Sequence, residues 1–128
     1  MLFSACPQPG PAGKGVNSMK IENVPFVVTT WPDVPPMEHK GETGMSYWKV
    51  FEQGNIRVRI VEFEPGFKAD HYCPRGHVLL VLEGEVRIRL KDGKEYKLTP
   101  SMSFQASDDE ANPHYVYSDK GGKVFIVD

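Results

Sequence analysis

Cysteine is scarce in this chain: two residues, Cys6 and Cys73, among 128. Two thiols can form one bridge but not the disulfide framework of a small secreted domain, so a reducing cytoplasm is the expected compartment. Long apolar runs are missing too. The longest, residues 78–82, stops at Glu83, far short of the ~20 residues that span a bilayer, so no membrane partner is expected. The first five residues are too short for a secretory hydrophobic region, and Pro7, Pro9, Gly10 and Pro11 follow at once. Positive charge is not in excess, with 15 Lys and Arg against 17 Asp and Glu and a net charge of -2. Without a basic run or stripe the footprint of a nucleic-acid binder is absent. Nothing in the sequence resembles a phosphate-binding loop, a serine triad or a Schiff-base lysine site.

What is present reads as one domain, since 128 residues leave no room for two ordinary cores. Residues 1–18 read as a flexible Pro/Gly-rich extension with almost nothing to bury. Met19 opens a segment of different character and reads as the natural start of residues 19–128. From there short β-rich runs alternate with turn signals. Strands are expected at 24–30, 45–51, 55–64, 69–73, 77–83, 85–91, 94–98, 102–106, 114–118 and 123–127. Pro65-Gly66, Pro74-Arg75-Gly76, Asp92-Gly93 and Gly121-Gly122 separate them, and Asp92-Gly93 is the best signal for a two-residue hairpin turn. No window carries a 3.6-residue apolar period with caps, and Pro32, Pro35 and Pro36 break the one place a helix might start. Many short, evenly spaced strands predict an all-β sandwich or barrel.

Three of the four histidines and Cys73 fall in two short segments. His71 and Cys73 are two apart, so on a strand they share a face. Pro74-Arg75-Gly76 reverses the chain and His77 opens the next strand, while Asn112-Pro113-His114 offers a fourth donor. Imidazole and thiolate suit zinc, iron, nickel or copper and not oxygen-seeking ions such as magnesium. On spacing alone the alternative stays open: unrelated core histidines beside a buried free cysteine.

These residues also carry a resemblance. Gly66, His71, Cys73, His77 and Gly84 are similar to the first cupin motif, a glycine, His-x-His, Glu and a closing glycine. Cys73 replaces the second histidine and His77 the glutamate. Residues 98–104 with Pro113-His114 resemble the second motif, stretched by residues 107–111 and lacking its usual glycine, since Ser101 follows Pro100. Asp70, His71 and Cys73, with Tyr72 where a Trp is expected, resemble the small single-domain cupins known by an Asp-His-Cys-Trp signature. The resemblance covers nearly everything after Met19. It implies a single cupin β-barrel of jelly-roll type, a homodimer, and a divalent transition metal (zinc, iron or nickel) held by His71, Cys73, His77 and His114.

Function turns on Cys73. If all four donors bind, a tetrahedral site is closed, and such sites are mostly structural or serve sensing and storage. If Cys73 stays off the metal, three histidines leave positions open for water and a small-molecule substrate, and the barrel is an enzyme. Free, Cys73 is a nucleophile or redox reporter. A barrel without metal, held by its apolar core alone, is the third alternative. Among other residues, His39 reads as part of a solvated polar loop, Glu110 as part of an acidic loop, and Trp48 as strand packing. Arg57 and Arg59 share a strand face with Val61 and Phe63. If that face points inward the pair can grip a carboxylate; the rival assignment puts Ile56, Val58 and Ile60 inside, because buried arginine is rare without a partner.

Overall fold

The computed structural model describes residues 19–128; the extension expected at residues 1–18, including Cys6, lies outside them. One 3-10 turn, Trp31–Asp33, precedes ten strands, and among the described residues there is no α-helix. The strands are β1 (Met37–Lys40), β2 (Met45–Gln53), β3 (Ile56–Phe63), β4 (Phe67–Lys68) and β5 (His77–Gly84). They continue with β6 (Val86–Leu90), β7 (Glu95–Leu98), β8 (Ser103–Ala106), β9 (His114–Ser118) and β10 (Gly122–Val127). Six form a sheet in the order β1-β2-β3-β10-β5-β8, and four form a second, β4-β9-β6-β7. All the pairings within them are antiparallel. The all-β jelly roll is therefore present, as two facing sheets and not a closed barrel.

Period-two alternation builds the core. Val61 and Phe63 of β3, Leu79 and Val81 of β5, Val86 and Ile88 of β6, and Val124 and Ile126 of β10 all point between the sheets and are buried. Each such side chain contributes about 1.5–3 kcal/mol of transfer free energy. The face of β3 that carries Val61 also carries Arg59, so the arginine face is the inward one.

Three segments depart from the sequence expectation. Residues 24–30 join no sheet, because propensity makes a strand only where a neighbour supplies hydrogen bonds. Met37–Lys40, expected as loop, is strand β1, paired along its length with β2. Residues 69–73 bend instead of running straight; only Cys73 touches a ladder, as an isolated bridge to His114. The Asp92-Gly93 hairpin forms with a longer loop than two residues: Leu90 N–H donates to Lys94 O, and Gly93 takes the positive φ of 97°.

Two close approaches shape one end of the sandwich. Gly76 lies so near β8 that an added Cβ would stand 2.3 Å from Ala106 O. Asp128 extends β10 by one residue, exchanging both backbone hydrogen bonds with Arg57 at 2.7 and 2.9 Å. Since β10 lies between β3 and β5, Asp128 falls between the arginines and His77.

Candidate metal centre

Cys73, His77 and His114 come together at this end of the sandwich, with one donor atom from each all within 4.8 Å of one another. Each arrives by a different route. His77 is the first residue of β5 and points inward with Leu79 and Val81. His114 opens β9 and points inward from the smaller sheet. Cys73 is held opposite it by a pair of backbone hydrogen bonds, 2.7 Å from Cys73 N to His114 O and 3.0 Å in return. Gly76 completes the link, its N–H donating to Asp108 Oδ1 at 2.6 Å just before β5 begins.

Cys73 Sγ lies 3.9 Å from His77 Nε2. Ordinary metal–sulfur and metal–nitrogen bond lengths on a tetrahedron give a donor separation of about 3.5 Å, so this pair stands close to ligating distance, while the three donors together span up to 4.8 Å and would draw in around an ion. The two imidazoles meet edge to face, with centroids 4.9 Å apart, and Phe104 stands against both rings.

Electrostatics favour the neutral imidazoles that metals require. Burial, then the neighbouring His114, pushes His77 down to about 4 from 6.5. Burial alone lowers His114. His77 Nδ1 lies 2.8 Å from Asp128 Oδ2. The contact does not meet hydrogen-bond geometry, so with a neutral imidazole it is a close polar approach and not an aligned hydrogen bond. It still settles which nitrogen faces the donors: Nδ1 turns to the carboxylate and Nε2 to Cys73, an arrangement that fixes metal-ligating histidines.

Asp128 is itself pinned. Its side chain is only 1% exposed and accepts a forked pair from Arg57 (Nε–Oδ1 3.0 Å, Nη2–Oδ2 2.9 Å). Arg59 Nη2 approaches at 3.2 Å and Arg75 Nε at 3.6 Å. Burial opposes ionisation of this carboxyl, but the Arg57 hydrogen bond and the two guanidinium charges outweigh it and hold it below the usual range. Burial draws Arg59 down to about 10, still charged at neutral pH. Its guanidinium lies 4.5 Å over the Trp48 ring, whose other neighbour is His39, stacked at 3.8 Å. The carboxylate that the inward arginines grip is thus the protein's own.

The remaining expected donor, His71, is not brought in. Its side chain is 72% exposed, with Nδ1 2.6 Å from Asp70 Oδ1. The same-face argument fails because residues 70 and 71 sit in a bend, where alternation does not apply. His39 lies on strand β1, stacked on Trp48, and not in a loop. Glu110 is exposed and stays outside the cluster. Sequence reasoning gave Asp128 no role. The signal existed, since Val124 and Ile126 point inward and position 128 keeps their parity.

Beside the cluster a cavity of about 770 Å³ opens between β6, β7 and β8. Cys73 and His114 form part of its wall, with Ile88, Leu90, Leu98 and Phe104 as apolar lining. Ligand sites of this size are commonly apolar with a few convergent polar groups.

No protein-family model matches this chain, and no curated protein does. Solved structures do. The Fe(II) form of HppE with the alternative substrate (S)-1-HPP is 15% identical, with a TM-score of 0.65 over 80% of this chain and 60% of that one. Ectoine synthase from P. lautus is 14% identical, with a TM-score of 0.62 over 80% of this chain and 76% of that one. A predicted oxalate decarboxylase from Thermotoga maritima is 10% identical, with a TM-score of 0.64 over 79% of this chain and 96% of that one. The chain thus spans about 60% of the length of HppE. Identities this low carry the fold alone, and that fold is the cupin jelly roll.

Proposed function

We propose that Cys73, His77 and His114 hold one divalent transition metal and that the adjoining cavity admits a small molecule to it, making the chain a metal-dependent cupin enzyme. The observation that carries this reading is the convergence of three donors, and no fourth among the described residues, on the wall of a cavity. Three protein ligands with an open position are the pattern of catalytic sites; four closed ligands are the structural pattern. The sulfur and two nitrogens suit zinc, iron or nickel. HppE, which shares the fold, is solved with Fe(II).

When bound, the metal would act as a Lewis acid or supply redox chemistry. The chain's own residues have separate tasks. Asp128 holds the His77 ring so that Nε2 keeps its lone pair toward the centre. Arg57 and Arg59 keep Asp128 ionised and in place. Phe104, Leu90 and Ile88 exclude water on the cavity side.

Elemental analysis of tag-free protein tests the reading. About one transition metal per chain is expected, lost in His77→Ala and His114→Ala and retained in His71→Ala. In the cobalt-loaded protein, sulfur-to-metal charge-transfer absorption should vanish on Cys73→Ser, and added azide should perturb the spectrum. Protein that neither carries nor takes up metal sinks the proposal. A metal that azide cannot reach returns the chain to a structural or storage role.

A further inference from the structure

More positive charge is gathered beside the donor cluster than its one carboxylate can use. Asp128 Oδ2 faces Arg57 Nη2 at 2.9 Å, Arg59 Nη2 at 3.2 Å, Arg75 Nε at 3.6 Å and His77 Nδ1 at 2.8 Å. A carboxylate oxygen has two lone pairs, so it cannot satisfy all of these neighbours at once. Arg57 has the firmest hold, since it alone forks across both oxygens. Arg75 stands beyond hydrogen-bond range.

Arg59 is the residue left short. Its side chain is 6% exposed, yet among the described residues its guanidinium makes a single hydrogen bond, from Nη2 to Asp128. Its Nε is buried with no partner at all. Trp48 covers a face of this guanidinium, with Cζ 4.5 Å from the ring centre, but supplies no lone pair for an in-plane N–H. Buried donors on a cation are rarely left unmade without a reason, and a bound oxyanion is one. The other side of the donor cluster is apolar, where Ile88, Leu90, Leu98 and Phe104 line the cavity. Cys73 belongs to both sides. It lines the cavity, and its Sγ lies 3.9 Å from the His77 ring whose far nitrogen meets the arginines' carboxylate.

On the reading that the cavity opens to a metal, we infer that the ligand is a monocarboxylic acid with an apolar body. Its carboxylate lies beside Cys73 and His77, countered by Arg59 and Arg75, and its body fills the cavity. Formal charge points the same way. A divalent ion and three guanidiniums would face only the Cys73 thiolate and Asp128, so an anionic ligand gains from this field where a neutral one does not. A guanidinium also matches the plane of a carboxylate, offering two parallel N–H groups. The cavity limits the rest of the molecule. A sugar or a dicarboxylate would strand hydroxyls or a second charge against Ile88, Leu90, Leu98 and Phe104. A volume of about 770 Å³ has room for a body the size of an aromatic ring.

Isothermal titration calorimetry on the full chain, loaded with zinc and checked for metal content, tests this with phenylacetate, 2-phenylethanol and acetate. Phenylacetate should bind about tenfold tighter or more than either, because the alcohol lacks the charge and acetate lacks the body. Arg59→Lys keeps a charge for Asp128 but loses the planar fork, and it should weaken phenylacetate about tenfold. Arg75→Met, at a half-exposed turn position, should do the same while 2-phenylethanol binding and metal content stay unchanged. A metal-loaded parent that binds acid and alcohol equally, or binds neither, overturns the inference and leaves the metal reading standing. So does phenylacetate affinity that neither arginine substitution alters. Acetate binding as tightly as phenylacetate overturns the apolar body. Protein that takes up no metal, yet binds phenylacetate with the same dependence on both arginines, sinks the metal reading and supports the carboxylate site.

Discussion

Asp128 does the most through the fewest atoms, since one buried oxygen meets His77, Arg57 and Arg59. Replacing it by Asn keeps the shape and removes the charge. Loss of such a supporting carboxylate should weaken metal binding about 10–100-fold, read by chelator competition. Asp128→Ala leaves the buried arginines without a counter-charge and should also cost about 3 kcal/mol or more in urea unfolding. Acid acts through His77. Its folded-state value near 4 lies below the unfolded 6.5, so the unfolded chain takes up the proton first. The His77 contribution to the stability of the metal-free protein is therefore full above pH 6.5, is lost between 6.5 and about 4, and is constant below. Melting temperature against pH should show this slope, and His77→Gln should flatten it. A slope unchanged in that variant assigns it to other groups.

Among the elements, the link between Cys73 and β5 has the least freedom. Gly76 is required by the neighbouring backbone of Ala106, Ser107 and Asp108, which an added Cβ would overlap. Gly76→Ala should destabilise the fold by about 1–3 kcal/mol, the usual range for overpacking. Because the same shift displaces His77 from Cys73, metal occupancy should fall along with the urea midpoint. Wild-type occupancy in a destabilised Gly76→Ala protein contradicts that coupling.

For the whole molecule, the candidate centre ties the two sheets together, since His77 belongs to the six-stranded sheet and His114 to the four-stranded one. An ion bound there stabilises the folded state by mass action, by about 2.7 kcal/mol at a hundredfold excess over its Kd. Thermal unfolding with added zinc or iron should shift upward in the parent and not in His114→Ala.

Much of this was legible in the residues. The residue pattern marked eight of the ten strands closely, β2, β3 and β5 to β10, because inward and outward positions differ in chemistry along them. His77, Cys73 and His114 stood out by type and spacing. Local sequence misled at His71, where a bend replaced the straight strand, and at residues 24–30, where β-propensity met no neighbour. What only the tertiary structure decided is long-range. Asp128 reaches His77 because β10 inserts between β3 and β5, joining segments about fifty residues apart. Whether Arg57 and Arg59 face water or the interior was likewise set by that insertion, which brings a carboxylate to arginines that would be too costly to bury alone. Side-chain pattern specifies which faces want burial; only the paired strands determine what each face meets.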